Sequence, residues 1–539
     1  MPTDYVIRNA LVYDGEGGEA RSADVAVLGD RITGVEPSIE APDAVEVDAT
    51  RLAVTPGFIN VLSHSYGSIL IDGRAMSELV QGVTTQMFGE GHSMGPLTEA
   101  TRDRLKASIA GSQEDFEIPW LRLSEYLAYA ERKGVSQNVC SLVGATTIRS
   151  NVIGHADRPA TTDELDRMAA LVDEEMVDGA LGVGSALIYP PGSFAPTEEL
   201  IAICRPVGRH GGRYFSHMRS EGDRFLDGVD ELMAIAEAVG CGAELWHLKA
   251  AGPNNWPSMK VAIERVEAAR AAGRDITADI YPYVAGGTAL RSAIPPRFHE
   301  GGTAAFLERL NDPAQRADMR RALVTGEDPA PGWENLYGLS GGPSGVLIAA
   351  VSNPADKHLE GKTLAAIAEE TSADPVDALL DLVASSPGAG AMYFIASEDN
   401  LRLQMTYPWV AVGSDAVAVA AEDPWTATRT HPRSYGTFAR FLGRYSRDEG
   451  LMPFGEAVRR MTSLPADNLK LAGRGRVRVG DYADLVVLDP TEVIDLATYE
   501  DPHRYSVGVR DVMVNGHFAL RNGHFTGEFA GRALKRGLN

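Results

Sequence analysis

The long middle of the chain alternates between strand-like and helix-like segments, and this alternation limits the folds open to it. Short apolar runs occur at 56–62, 82–89, 137–144, 179–187, 212–217, 243–248, 275–281 and 409–415. Helix-like stretches such as "TTDELDRMAALVDEEMVDG" lie between most of these runs. Strands that alternate with helices favour a parallel sheet covered by helices. Eight such strands predict an α/β protein with a (β/α)8 barrel of the TIM type.

The spacing of the predicted strands indicates an insertion before the last one. The interval from 281 to 409 is too long for one helix. It contains two segments rich in glycine and proline, "GGTALRSAIPPRFHEGG" and "TGEDPAPGWENLYGLSGGPSG". Because glycine and proline mark turns and loops, we predict an inserted subdomain at about 286–350.

The two ends of the chain share a different pattern. Residues 5–55 and the late segments "GRVRVGDYADLVVLD" and "GVRDVMVNGHFALRNGHFTG" show short alternating apolar runs. Their Asn-Gly dipeptides are typical of hairpin turns. We therefore predict a small β-sandwich formed by residues 1–55 and 474–539, beside a barrel of residues 56–473.

Composition limits the partners and the compartment of the protein. A net charge of −24 repels phosphate backbones, so a nucleic-acid partner is not expected. The chain has no run of about 18 apolar residues and its N-terminus lacks the pattern of a secretory signal, so no membrane partner is expected. Cys140, Cys204 and Cys241 cannot form a disulfide framework. We predict a cytoplasmic protein that acts on a small molecule. The sequence does not decide whether it forms a homo-oligomer.

Polar side chains follow most of the predicted barrel strands. They are His64, Glu90, His92, His217, His247, Lys249, Asp279 and Asp415. Any one of them alone is weak evidence, because a histidine at a strand end or an aspartate after Gly-Ser is often structural. Barrel active sites, however, lie where the strands end, and imidazole and carboxylate groups bind zinc. Their shared position therefore predicts a metal site.

Seven segments stand in a characteristic order along the chain: "VTPGFINVLSH", "QGVTTQMFGEG", "SHMRSEGDR", "WHLKAAG", "DIYPY", "VGSD" and "HPRSYGTFARFLGRY". Together they resemble the amidohydrolase superfamily, and more closely its N-acyl-D-amino-acid deacylase (D-aminoacylase) family. The late segment "SLPADNLKLAGRGRVRVGDYADLVVLDP" is similar to the family's return into the sandwich. The resemblance covers nearly the whole chain and implies a zinc-dependent hydrolase.

Two positions depart from the family pattern. The first strand of the family carries His-x-His, and this chain has Leu62 and His64 there. The cysteine that ends the second strand in the family is also absent. An alignment anchored on Pro96 places Glu90 at that position, whereas a gapless alignment places Gly91. We favour Glu90, because a carboxylate can replace a thiolate as a zinc ligand.

The resemblance implies a site with one Zn²⁺ per chain and a fourth coordination position open to water. The implied ligands are Glu90, His217 and His247. At the second metal position of the family, Leu62 stands in place of one histidine ligand. Asp415 is the implied general base and acid. His64 is either a catalytic hydrogen-bond donor near the substrate carbonyl or the zinc water, or a structural residue.

In the family an arginine and a tyrosine bind a substrate carboxylate. The corresponding residues are Arg433 in "HPRSYG" and Tyr189 in "ALIYPPG". The planar guanidinium of arginine binds a carboxylate through two hydrogen bonds. Tyr283 and Thr288 are expected to line the mouth of the barrel, where the substrate binds. The alternative for Arg433 is that it caps a helix or pairs with a surface acid.

The resulting prediction is a zinc-dependent amide hydrolase that deacylates N-acyl-D-amino acids or a related amide bearing a carboxylate. A second hypothesis is a hydrolase of a cyclic amide, a carbamate or another non-peptide amide on the same scaffold. A third is a binding protein that has lost catalysis. Metal analysis separates the third from the others, and a hydrolysis screen separates the first two.

Overall fold

The computed structural model describes residues 3–111, 115–328 and 333–537 of the 539-residue chain. The outermost residues of both predicted sandwich segments, and 329–332 of the predicted insert, lie outside the described residues. The strands, numbered in chain order, are β1 Tyr5–Val12, β2 Arg21–Leu28, β3 Arg31–Glu36, β4 Val45–Asp48, β5 Ala53–Pro56, β6 Phe58–Asn60, β7 Val83–Phe88, β8 Asn138–Ser141, β9 Val143–Gly144, β10 Gly182–Ala186, β11 Arg213–His217, β12 Gly242–Leu245, β13 Ile276–Ile280, β14 Ala285–Ala289, β15 Val346–Ala350, β16 Gly390–Phe394, β17 Val410–Val412, β18 Leu485–Leu488, β19 Val509–Val514, β20 His517–Arg521 and β21 His524–Phe525.

The α-helices are α1 Ser68–Ile71, α2 Met76–Leu79, α3 Glu99–Ile109, α4 Leu123–Lys133, α5 Ala145–Val152, α6 Thr162–Val177, α7 Thr197–Arg209, α8 Phe225–Val239, α9 Ser258–Ala271, α10 Thr303–Asn311, α11 Pro313–Thr325, α12 Leu336–Leu339, α13 Leu364–Thr371, α14 Pro375–Ser385, α15 Glu398–Met405, α16 Arg433–Arg440, α17 Phe454–Met461 and α18 Ser463–Leu469. Short 3₁₀ helices occur at Gly192–Phe194, Leu290–Ala293, Pro296–His299, Pro343–Gly345, Pro354–Leu359 and Trp425–Ala427, and a π-helical segment at Phe441–Asp448. Within the described ranges, no helix is both long enough and apolar enough to cross a membrane.

Strands from both ends of the chain form one nine-stranded sheet. Its order is β21-β20-β19-β18-β5-β1-β2-β3, and β4 pairs with β1. Strand β5 connects the two ends, because it pairs parallel with β1 and antiparallel with β18. Ile7, Val25 and Leu485 belong to an apolar cluster that packs on this sheet.

The parallel strands occur where the apolar runs predicted them. Each of the eight predicted segments overlaps an observed strand, and the strands form two parallel sheets, β6-β7-β8 and β17-β13-β12-β11-β10-β9. Backbone hydrogen bonds connect the two sheets: the Asp415 N–H donates to Leu62 O and the His64 N–H to Ala416 O, each at 2.9 Å. The residues that follow β6 and β17 therefore lie side by side.

The long interval between β13 and β17 forms its own packed segment. Strands β14, β16 and β15 make an antiparallel sheet, and Ala285 in β14 pairs with Phe394 in β16. The apolar cluster of this segment includes residues from Leu290 to Ile395, together with Ala251. It therefore continues past residue 350, the predicted end of the insert, because the strand that pairs with β14 returns only at 390–394.

Candidate metal centre

Three predicted metal ligands converge where parallel strands end. Glu90 follows β7, His217 ends β11 and His247 follows β12. Glu90 Oε1 lies 2.9 Å from His217 Nδ1 and 3.4 Å from His247 Nε2. One donor atom from each side chain lies within 4.8 Å of the others. The contacts support Glu90 rather than Gly91 as the residue in the place of the family cysteine.

Local backbone geometry delivers two of these side chains. Gly89 has φ +114°, and a Cβ there would meet Leu142 O at 2.6 Å, so only glycine allows the chain to turn into Glu90. His247 itself has φ +35°, and its N–H donates to Asp279 Oδ1 at 3.1 Å. A positive φ at a bulky residue is uncommon, and such strain clusters at functional sites.

A second group of possible ligands shares Glu90. His64 Nε2 lies 2.9 Å from Glu90 Oε2 and 2.9 Å from Asp415 Oδ1, and the donor atoms of all three again lie within 4.8 Å. The two carboxylate oxygens of Glu90 thus face two different groups. Asp415, like His247, has a positive φ, of +50°.

Leu62 does not face these groups. Its side chain is 1% exposed and packs in an apolar cluster with Phe215 and Trp246. It is also absent from the residues that line the cavity described below. The second group therefore has three donors, and the Leu62 side chain adds none to it.

The first group fits zinc. Two imidazoles and one carboxylate are donors that zinc binds, and three protein ligands leave a fourth position open. Glu221 lies behind both imidazoles, with Oε1 3.1 Å from His247 Nδ1 and Oε2 3.8 Å from His217 Nε2. His217 Nε2 is buried and has no hydrogen-bond partner among the described residues. Carboxylates in this position orient metal-binding histidines.

The sequence pattern assigns Glu221 no role at the metal, although Glu221 follows His217 by four residues in "SHMRSEG". Lys249 Nζ lies 2.6 Å from Glu221 Oε1 and 2.7 Å from His247 Nδ1. Burial raises the pKa of Glu221, but the charge of Lys249 and then the two imidazoles outweigh it and lower the pKa to about 2. Glu221 is therefore an anion, and Lys249 is its buried charge partner.

Asp415 is held as an anion by its neighbours. Arg433 Nη1 lies 2.6 Å from Asp415 Oδ2. Burial raises the pKa of Asp415, but the charges of Arg433 and then His247 outweigh burial and hold the pKa well below its usual range. Burial lowers the pKa of His64, but hydrogen bonds to Asp415 and then Glu90 raise it to about 9.

A cavity of about 880 Å³ opens over both groups. Tyr189, Thr288 and Arg433 lie on its wall, as the sequence predicted for a substrate pocket. The Tyr189 ring meets His217 edge-on, with ring centroids 5.3 Å apart. Arg433 Nε is buried and has no hydrogen-bond partner within the described part of the chain. The pocket therefore offers a guanidinium and a phenol beside the metal ligands.

The prediction that Tyr283 lines this pocket is not supported by the structure. Tyr283 is absent from the cavity wall, is 4% exposed and donates its hydroxyl to Asp495 Oδ2 at 3.2 Å. Tyr281 lines the cavity instead and lies under the Arg433 guanidinium at 4.7 Å. Strand β13 ends at Ile280, so strand alternation does not set the direction of the side chains that follow.

Two other predicted strand-end residues belong to neither group. His92 lines the cavity, and burial, followed by the charge of His155, lowers its pKa to about 4. Asp279 is completely buried and accepts a hydrogen bond from the backbone N–H of His247. Neither side chain supplies a donor atom to the two candidate metal groups.

Comparison with known proteins gives consistent results. Residues 349–519 match the sequence model of the amidohydrolase family. The chain is 32% identical to D-aminoacylase of Alcaligenes xylosoxydans xylosoxydans over 538 residues, 99% of this chain and 98% of that protein. A solved structure that addresses the binuclear metal centre of D-aminoacylase, with one-metal activation and second-metal attenuation, matches with a TM-score of 0.81 at 32% identity, covering 99% and 100% of the two chains. N-acyl-D-glutamate deacylase of Bordetella bronchiseptica, solved with zinc and a phosphonate mimic of the tetrahedral intermediate, matches with a TM-score of 0.81 at 27% identity and the same coverage.

Proposed function

Because this chain belongs to the D-aminoacylase family of amidohydrolases, we propose that it removes the acyl group from N-acyl-D-amino acids. It is a hydrolase of amide C–N bonds. The observation that carries the proposal is the placement of Asp415 within one cavity beside the Glu90, His217 and His247 group. The same cavity holds Arg433 and a phenol for a substrate carboxylate.

We propose that the two parallel sheets form one (β/α)8 barrel, which the hydrogen bonds between 62 and 415 and between 64 and 416 support. The barrel comprises residues 56–473. The inserted segment, predicted at 286–350, is extended to about 395 by its apolar cluster. Residues 1–55 and 474–539 form the flanking β domain, since their strands share one sheet.

We propose that Glu90, His217 and His247 bind one zinc ion. When bound, zinc supplies a Lewis acid that acidifies a water molecule and polarises the amide carbonyl. Glu221 orients the two imidazoles from behind, and Lys249 holds the Glu221 carboxylate. The group formed by His64, Glu90 and Asp415 has one imidazole where the first group has two, and the Leu62 side chain, which packs into the core, adds no donor.

Asp415 and His64 carry out the proton chemistry in this proposal. Asp415 is an anion and accepts the proton of the attacking water, then delivers it to the nitrogen of the breaking C–N bond. The imidazole of His64 donates a hydrogen bond to the oxygen on which negative charge develops. A C–O bond forms as the C–N bond breaks, and the products are a carboxylate and an amino acid.

Arg433 and Tyr189 bind the substrate carboxylate in this proposal. The guanidinium of Arg433 contacts Asp415 at 2.6 Å in the structure. A substrate carboxylate competes for the same guanidinium and weakens that ion pair. Because Arg433 holds down the pKa of Asp415, this competition makes Asp415 a better base when substrate is bound.

A hydrolysis screen tests the proposal. Purified zinc-loaded protein is incubated with N-acetyl and N-formyl derivatives of D- and L-amino acids and with hydantoins, and the released amine is measured. Hydrolysis confined to D-amino acid derivatives supports the proposal. Hydrolysis of hydantoins alone indicates a cyclic amide hydrolase, and absence of all hydrolysis in metal-loaded protein indicates a binding protein. Chelator-treated protein is the control for metal dependence.

We expect about one zinc ion per chain after dialysis, because the two groups share Glu90 and Leu62 removes an imidazole ligand from the second group. Elemental analysis of protein purified without chelators measures this directly. A D-aminoacylase relative has a binuclear centre, so two tightly held ions per chain would show that His64, Glu90 and Asp415 suffice without a second imidazole on β6.

Replacing Leu62 by histidine is expected to destabilise the protein by about 1–3 kcal/mol, the cost of a buried polar group without a partner. The reason is that Leu62 is 1% exposed among apolar side chains. Denaturant unfolding with and without zinc measures the effect, and Leu62→Met, which roughly conserves volume, is the control. A Leu62→His protein as stable as the parent without metal would mean that this side chain can turn into the cavity.

A further inference from the structure

A buried polar network lies directly behind Asp415. It consists of Asn60, Glu78 and Ser414, here called the Glu78 network, and all three residues are fully buried. Glu78 Oε1 accepts hydrogen bonds from Asn60 Nδ2 at 2.7 Å and from Ser414 Oγ at 2.9 Å. Asn60 Oδ1 accepts the backbone N–H of Ser414 at 2.9 Å. The network therefore fixes both the side chain and the backbone of the residue before Asp415.

The backbone at Asp415 needs such support. Its φ of +50° is a conformation that non-glycine residues keep only when their surroundings enforce it. The Asp415 N–H donates to Leu62 O. Further along the loop, the Ala418 N–H donates to Ser65 Oγ at 2.8 Å and the Val419 N–H to Ser77 Oγ at 3.1 Å. The residues after β6 and helix α2 thus hold this loop at several points.

Glu78 acts in this network as a hydrogen-bond acceptor. Burial raises the pKa of Glu78 to about 8, so its carboxyl group is largely protonated at neutral pH. Both donors meet the same oxygen, Oε1, and Oε2 is buried without a hydrogen-bond partner among the described residues. A glutamine offers an equivalent acceptor oxygen, whereas alanine offers none.

We propose that Glu78, on helix α2, is a positioning residue for Asp415. By accepting hydrogen bonds from Asn60 and Ser414, it holds the left-handed backbone that places the Asp415 carboxylate 2.9 Å from His64 and 2.6 Å from Arg433. The effect of Glu78 on kcat rests on the proposed function, whereas its effect on the position of Asp415 does not.

Glu78→Ala, Glu78→Gln and Ser414→Ala test the proposal in the zinc-loaded protein. In Glu78→Ala and Ser414→Ala we expect kcat to fall about 10- to 100-fold, as a displacement of about 1 Å in a catalytic group costs. KM and zinc content stay near the parent values, and Glu78→Gln recovers most of kcat. The control is Glu175→Ala, which removes another buried carboxyl with a raised pKa, far along the sequence from these residues. It lowers thermal stability without changing kcat.

Crystal structures of the metal-free variants provide a readout that needs no activity. We expect the φ of Asp415 and its contact with His64 to change in Glu78→Ala and Ser414→Ala but not in Glu78→Gln. An unchanged Asp415 in both variants overturns the proposal, as does a parent-like kcat in both. If the parent hydrolyses no N-acyl amino acid, the proposed function fails and the position of Asp415 alone decides this inference. Ser414→Ala is the smaller change and serves if Glu78→Ala does not fold.

Discussion

Replacing His217 by alanine is expected to remove zinc and activity together. His217 is one of only three protein donors in the first metal group, and its loss leaves two. Loss of an outer-shell partner alone costs about 10- to 100-fold in metal affinity or activity, so loss of a ligand costs more. Zinc content after dialysis and turnover of the best substrate from the screen are measured on the same sample. His247→Ala is expected to behave in the same way.

The control for both alanine variants is His92→Ala. His92 lines the same cavity and is a histidine after a parallel strand, but it belongs to neither metal group. We expect His92→Ala to keep its zinc. If His217→Ala or His247→Ala retains full zinc occupancy, the ligand assignment is wrong, and the group around His64 becomes the alternative site.

The parallel strands were predictable because they are buried on both faces and read as continuous apolar runs. Strand β17, for example, reads Val-Ala-Val, and all three residues are buried. The positions of His64, Glu90, His217, His247 and Asp415 followed from the same logic, since polar residues after such runs lie at one end of the strands. The structure brings all five together in two overlapping groups.

Other features depend on contacts between distant segments, which a sequence pattern does not report. The insert ends where β16 returns to pair with β14, more than a hundred residues along the chain. Glu221 faces the imidazoles because the loop after β11 folds back over them. Tyr281 and Tyr283 differ in direction because a C-terminal residue, Asp495, binds the second hydroxyl.

Replacing Asp415 by asparagine is expected to leave zinc in place and to lower turnover by at least about 10²-fold, the low end for losing a general base. Asp415 is outside the group of Glu90, His217 and His247, so the metal keeps its three ligands. Asparagine has nearly the same shape but cannot accept the proton. Zinc analysis and kcat at neutral pH measure the two effects separately.

The pH dependence separates a base from a merely structural carboxylate. Catalysis needs the anion of Asp415, which exists above its pKa, and its neighbours hold that pKa well below the usual range. In the parent, the contribution of this group to kcat/KM, which reports the free enzyme, therefore persists as the pH falls through the mildly acidic range and is lost only in strong acid. Asp415→Asn is expected to be slow at every pH, because no titration restores a base. A variant with parent-like kcat would remove Asp415 from the proton transfer and make His64, which contacts both Glu90 and Asp415, the alternative group.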